Sequence, residues 1–164
     1  IVLREGSGGR INVVYIGSDQ VRFTLDDGGN VLAYEILPAD RDHDGVRDAE
    51  DCAPDDADSW APPGEIEDVR FWPADKRTLH WLDIEPQVGW GILYDVLRGF
   101  ADELPVGSGA GEECQHTPND YFYDEQIPPA GRGFWYIVRG RNSCGTGTFG
   151  RDSSGGERIS SACP

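Results

Sequence analysis

The chain has 164 residues, 38% of them apolar, with 22 Gly, 11 Pro, 5 Trp, 6 Tyr and 6 Phe, which is enough bulk for one core of ordinary size. Its 30 Asp and Glu outweigh 14 Lys and Arg, a net charge of −16. That excludes nucleic acid as a partner, because phosphate binding needs clustered cations, and it disfavours an anionic membrane surface. No apolar run approaches the ~20 residues of a spanning helix, so membrane insertion is not expected. The sequence opens at Ile1 with no charged leader and holds no Met, as expected of a processed start or a fragment. The four Cys, at 52, 114, 144 and 163, form no C-x-x-C pair and read as two disulfides of an oxidising compartment.

In chain order, residues 1–39 form a first region of short strands. Ile1–Glu5 is β-prone, Gly6–Gly9 is a break, and Ile11, Val13, Val14, Tyr15 and Ile16 make a strongly β-prone run. Asp19 and Gln20 are expected to turn the chain. Val21, Phe23 and Leu25 then alternate with Arg22 and Thr24, the period of a half-buried strand. Asp26–Asn30 is a hairpin signal, and Val31–Leu37 returns as a strand that Pro38 ends. So short a region cannot fold alone. Its strands need a second sheet, supplied either by the same chain or by the edge of a neighbouring copy. In the second case Ile1–Glu5 or Ile11–Ile16 would be a strand donor, and head-to-tail addition would build a fibre.

Residues 40–61 are an acidic loop. Asp40-Arg41-Asp42-His43-Asp44-Gly45-Val46-Arg47-Asp48-Ala49-Glu50-Asp51 reads D-x-D-x-D-G-x-x-D-x-x-D. Ca2+ is a hard cation that takes six to eight oxygens, and carboxylates at alternate positions can converge on it when the chain curls. The expected ligands are Asp40, Asp42, Asp44, the carbonyl of Val46, Asp48 and Asp51, with Gly45 allowing the sharp turn. An EF-hand would need a helix on each side, but Pro38 precedes the loop and Pro54, Pro62 and Pro63 follow it. Carboxylates this crowded repel without a cation, so order in the loop should be coupled to metal. The ion would be structural, stiffening the joint between residues 1–39 and the second half.

The motif and the Cys52-Ala53-Pro54-Asp55-Asp56-Ala57-Asp58 stretch behind it resemble a thrombospondin type 3 repeat of secreted bacterial proteins. In that family the pattern runs on to C-P and an acidic stretch; here Cys52 follows Asp51 directly, and Ala53 separates it from Pro54. The resemblance implies that Asp51, Asp55, Asp56 and Asp58 could hold a second ion.

From residue 62 to residue 164 the chain is again short strands separated by Gly and Pro. Candidates are Val69–Trp72, Thr78–Leu82, Ile92–Arg98, Tyr121–Tyr123, Gly133–Arg141 and Thr146–Phe149. A helix over Leu93–Leu104 is weakened by Val96 and Gly99. Pro63, then Thr78-Leu79-His80-Trp81, Tyr94-Asp95-Val96-Leu97-Arg98 and Tyr136-Ile137-Val138 resemble the strands of a fibronectin type III domain, over roughly residues 62–150. The resemblance implies an all-β, fibronectin type III/Ig-like sandwich, preceded by the calcium loop and the small N-terminal β region. It puts Trp81, Tyr94, Val96, Tyr136 and Val138 in one core, with Asp124 and Pro128–Gly131 leading into a late strand. Residues 106–116 read as an insertion. It also implies the pairing Cys52–Cys144 and Cys114–Cys163, one of three that four Cys allow.

No enzyme is expected. His43, His80 and His116 are scattered, and no G-x-S-x-G, H-E-x-x-H or phosphate loop occurs. Trp72, Trp90, Trp135, Tyr121 and Tyr123 could stack on glycans, as in an accessory module of a secreted enzyme. The competing expectation is that most of them pack the core or its rim. The sequence therefore reads as an extracellular or cell-surface structural or adhesive protein, capable of self-association into a bacterial surface filament.

Overall fold

In a computed structural model, the described residues are the strand backbones at 5–6, 10–11, 14–16, 19–25 and 31–37, and all of 39–164. The contacts divide the chain into two units, Ile1–Asp55 and Asp56–Pro164. The motif Asp40–Asp51 therefore belongs with the N-terminal strands, and Asp56–Ala61 with the sandwich.

In the first unit, β1 (Glu5–Gly6) pairs antiparallel with β2 (Arg10–Ile11). β3 (Val14–Ile16), β4 (Asp19–Leu25) and β5 (Val31–Leu37) form an antiparallel sheet in that order. The expected turn at Asp19-Gln20 is corrected: both are strand residues, with Ile16 opposite Asp19 and Tyr15 opposite Gln20. Backbone pairing on β4 overrides the poor strand propensity of Asp. Leu25 pairs with Val31 across the expected hairpin, but Asp26–Asn30 itself lies outside the described residues, as do residues 1–4 and Pro38.

The second unit is a sandwich of two antiparallel sheets. β6 (Arg70–Trp72), β7 (Asp75–His80) and β10 (Tyr121–Tyr123) make one, in the order β10-β7-β6. β8 (Leu93–Phe100), β9 (Glu113–Thr117), β11 (Phe134–Asn142) and β12 (Gly145–Thr146) make the other, in the order β12-β11-β8-β9. Seven strands split three and four are the expected fibronectin type III-like sandwich. Phe71, Leu79 and Phe122 lie in one register row of the smaller sheet and pack on the interior with Trp81, Tyr94, Val96 and Val138. Trp81, Tyr94, Val96 and Val138 are all buried, and Tyr136 packs against them. The Trp81 and Tyr94 rings meet edge-on at 5.2 Å, a favoured aromatic geometry.

Two elements depart from the expected strands, and the expected strand at Ile92–Arg98 is present. Residues 113–117 are the strand β9 rather than part of an insertion. The last candidate strand shrinks to Gly145–Thr146. The Leu93–Leu104 stretch is β8 followed by a 3-10 turn at Ala101–Glu103. β8 is buried on both faces, from Tyr94 to Gly99. One face meets the interior. The other is covered by Phe149 and Cys163, with Trp135, Ile137, Val106 and Ala162 packed around Leu97. The Cys114–Cys163 disulfide fixes that covering segment to β9. Gly99 faces Trp135 across the strands, and a Cβ there would lie 2.3 Å from the indole. Only Gly lets the ring lie over β8.

A buried ion pair joins the sheets at one end. Arg98 and Asp124 are each 3% exposed. Arg98 Nη1 donates to both Asp124 oxygens, at 2.9 and 2.7 Å. The Tyr136 hydroxyl donates to Asp124 Oδ2 at 2.7 Å and the Gln126 N–H to Oδ1 at 2.8 Å. Arg98 also pairs with Glu113 and lies 4.5 Å from the Phe134 ring centre. Burial alone would raise the Asp124 pKa, but the Tyr136 hydroxyl, the Gln126 N–H and Arg98 outweigh it and hold the carboxyl below its usual range. A carboxyl whose pKa is depressed by folding stabilises the fold above its unfolded pKa of about 3.9, and that contribution is lost as pH falls through the folded value.

Asp124→Ala leaves Arg98 buried without its anion and should cost about 3–5 kcal/mol in urea unfolding; a cost under about 1 kcal/mol would show that the pair does not anchor the sheets. Wild type should also lose stability more steeply than Asp124→Asn as pH drops below about 4.

Candidate metal centre

The motif curls because its side chains bond its own backbone. Asp40 Oδ1 accepts the His43 N–H at 2.8 Å, Asp42 Oδ1 the Asp44 N–H at 3.3 Å, and Asp44 Oδ1 the Val46 N–H at 2.6 Å. These are Asx turns, the habit that makes Asp a turn residue. Gly45 takes φ +97° and His43 φ +67°, both left-handed; Gly does so without a Cβ penalty, and the sequence reading of Gly45 as the turning point holds. The Asp48 N–H donates to the Ala39 carbonyl at 2.9 Å and closes the loop.

Curled this way, the chain alternates sides. Arg41, His43, Gly45 and Arg47 are exposed, whereas Asp42, Asp44, Val46 and Asp48 are partly buried. Carboxylate oxygens of Asp40, Asp42 and Asp44 lie within 4.8 Å of one another. Asp42 Oδ2 and Asp44 Oδ2 are shielded from solvent and have no hydrogen-bond partner. Burial raises the Asp44 pKa; the Val46 N–H opposes this, and the charges of Asp42, Asp51 and Asp40 add to the rise. Asp51 is thus near enough to act on the same group, and it is itself buried, with Oδ1 accepting the Ala53 N–H at 2.7 Å.

The other proposed ligands divide. No described residue hydrogen-bonds the Val46 carbonyl, which leaves it available. Asp48 stands apart from the Asp40-Asp42-Asp44 group. Its Oδ1 accepts the Arg41 N–H and its Oδ2 the Arg41 Nε, both at 2.9 Å. It braces the loop through Arg41, a role that alternation alone does not separate from ligation. The acids behind the motif are used one by one: Asp55 pairs with Arg41 at 3.1 Å, and Asp56 accepts the Ser143 hydroxyl at 2.5 Å.

The donor set fits a hard divalent cation: three converged carboxylates, a fourth acid close by, and a carbonyl, all oxygen, with the His43 side chain on the exposed side. A second grouping, Asp95, Cys114 and His116, fits no metal because Cys114 is in a disulfide. Asp95 is instead a buried anion that Arg139 and His116 bond at 3.0 and 2.8 Å. The sequence reading missed it; the signal was Arg139 and Arg141 alternating on a strand opposite one Asp.

The aromatics need a correction. Of the five candidates only Trp135 is packed; Trp72, Trp90, Tyr121 and Tyr123 are 51%, 59%, 45% and 47% exposed. Phe71 and Phe122 take the inward positions of β6 and β10, so their strand neighbours Trp72, Tyr121 and Tyr123 face out.

All four cysteines are in disulfides, among them the expected Cys114–Cys163 pair, as in an oxidising environment. No helix among the described residues is long and apolar enough to cross a membrane.

No family model matches the chain, and no curated protein does. Among solved structures the chain is similar to a "Cytokine receptor complex - Crystal form 2", at 14% identity and a TM-score of 0.35, over 74% of this chain and 58% of that one. The match spans less than two thirds of the receptor chain, and at that score nothing of the receptor carries over.

Asp44→Ala should weaken Ca2+ binding about a hundredfold or more in titration calorimetry, whereas Asp56→Ala should leave it within about threefold. Equal effects of the two changes would remove the converged triad from the site.

Proposed function

We propose that the protein is a non-catalytic, extracellular structural or adhesive element that holds one Ca2+ in the loop 40–51. The observation that carries this reading is the convergence of Asp40, Asp42 and Asp44 with two shielded, unpartnered carboxylate oxygens. Anions in that arrangement destabilise one another unless a cation lies between them. The ligands are Asp40, Asp42, Asp44 and Asp51 with the Val46 carbonyl; Asp48 supports the loop from outside. The thrombospondin type 3-like pattern of the motif points the same way. Secretion fits the disulfides and the acidic composition. Bound Ca2+ in this reading is structural and orders the loop.

Strand addition to a neighbouring copy would extend this reading to a self-associating surface filament, from the sheet edges that the pairings within the chain leave open. Val14–Ile16 pairs with β4 in the same chain, and Glu5–Gly6 pairs with Arg10–Ile11. A glycan-binding reading does have a specific observation behind it, the exposure of Trp72, Tyr121 and Tyr123 on the edge strands of the smaller sheet. Exposed aromatic faces are unfavourable in water unless something stacks on them. On a glycan array, dose-dependent binding that Trp72→Ala removes would favour it, and a blank array would dismiss it.

A thermal melt in Ca2+ and in chelator tests the main reading. A ligand at a thousandfold excess over its dissociation constant stabilises by about 4 kcal/mol, so chelation should lower the melting temperature by several degrees. Identical melts would end the proposal. The same comparison in Asp44→Ala should show no calcium effect.

A further inference from the structure

The chain leaving β10 runs past the end of the sandwich and forms, with β6, β7 and β11, an open groove of about 400 Å3. That is within the size range of small-molecule sites. Its walls are apolar: Phe71, Ile127, Pro128, Phe134 and Tyr136. Ile127 is 76% exposed, so packing within this chain does not account for an Ile at that wall.

The charges around the groove have the opposite sign to the molecule. Lys76, the single lysine in the sequence, lines it, is exposed, and makes no ion pair among the described residues. Arg77 beside it is fixed, its Nε donating to the Asp124 carbonyl at 3.0 Å and its Nη2 to the Glu125 carbonyl at 2.5 Å. The one acid in the wall, Asp124, is already neutralised: Arg98 binds both its oxygens and Tyr136 donates to one. A chain of net charge −16 therefore has, at one apolar groove, an ammonium without an ion pair and a second cation held by backbone carbonyls, and the one acid in the wall is already engaged.

We propose that this groove binds a small amphipathic anion, an aromatic or branched aliphatic monocarboxylate. Its apolar body lies between Phe71, Phe134 and Ile127, and its carboxylate meets the Lys76 ammonium. One mobile cation suits a single negative charge; a phosphate ester would need several donors in a fixed array. Apolar walls supply the affinity and the ammonium supplies the selection. The site is independent of the calcium loop.

The test uses the whole chain, with indole-3-acetate and its neutral amide as paired probes in titration calorimetry and ligand-observed NMR. The acid should bind at one saturable site about tenfold more tightly than the amide, the size of a charge-assisted hydrogen bond. Lys76→Gln should bring the acid down to the level of the amide. Ile127→Asp should abolish binding of both. Both positions are exposed, and an unchanged melting temperature will verify that the variants fold. The proposal is overturned if neither probe saturates at millimolar concentration, if acid and amide bind alike to wild type, or if Lys76→Gln leaves the preference for the acid intact.

Discussion

The sandwich depends on a charge that has nowhere else to go. Arg98 is on β8, the strand buried on both faces, and its guanidinium is closed inside the fold. Removing an ion from water costs several kcal/mol, and that cost is met only by a partner held in good geometry. Asp124 is that partner, and it can serve only if the chain leaving β10 bends back to it and Tyr136 of β11 points its hydroxyl the same way. One ion thereby ties three strands and both sheets. The arrangement resembles the tyrosine corner of Ig-like domains, in which a Tyr near a late strand bonds back to the preceding connection. Here the acceptor is a side chain rather than backbone, and the bond constrains a charge as well as a turn.

The same physics acts with the opposite sign in the acidic loop. Arg98 and Asp124 satisfy one another; Asp40, Asp42 and Asp44 do not. The loop's own N–H groups take one oxygen of each and bring the carboxylates together. Hydrogen bonds to backbone offset part of the repulsion, but Asp44 still prefers to hold its proton more than a free Asp does.

Much of this was legible in the sequence. The period-two pattern of Val21 to Leu25 announced a strand, and the resemblance to a fibronectin type III domain placed Tyr94, Val96, Tyr136 and Val138 in one core, where they lie. The Asp-x-Asp-x-Asp-Gly spacing located the loop and its turning residue. What could not be read depends on partners distant in sequence. Glu113–Thr117 has no strong strand signature and is a strand because β8 offers an edge to pair with. Asp48 has the spacing of a ligand, and its bonds to Arg41, seven residues away, are no part of that spacing. Trp72 and Tyr121 looked like core because aromatics usually are, but which residue of a pair points inward is a matter of register, fixed by the inward Phe beside each. Arg98–Asp124 joins residues 26 positions apart, beyond any local pattern.

The Cys114–Cys163 bond has a mechanical consequence. The tail it holds covers the outer face of β8, and the bond enters the fold at β9. Tension applied at Pro164 would pass through sulfur into β9, the edge strand of the larger sheet. The 49-residue separation between the bridged cysteines becomes hidden length, roughly 160 Å of contour that a pull cannot pay out while the bond is oxidised. Under load, the segment between the two sulfurs behaves as a short, inextensible link.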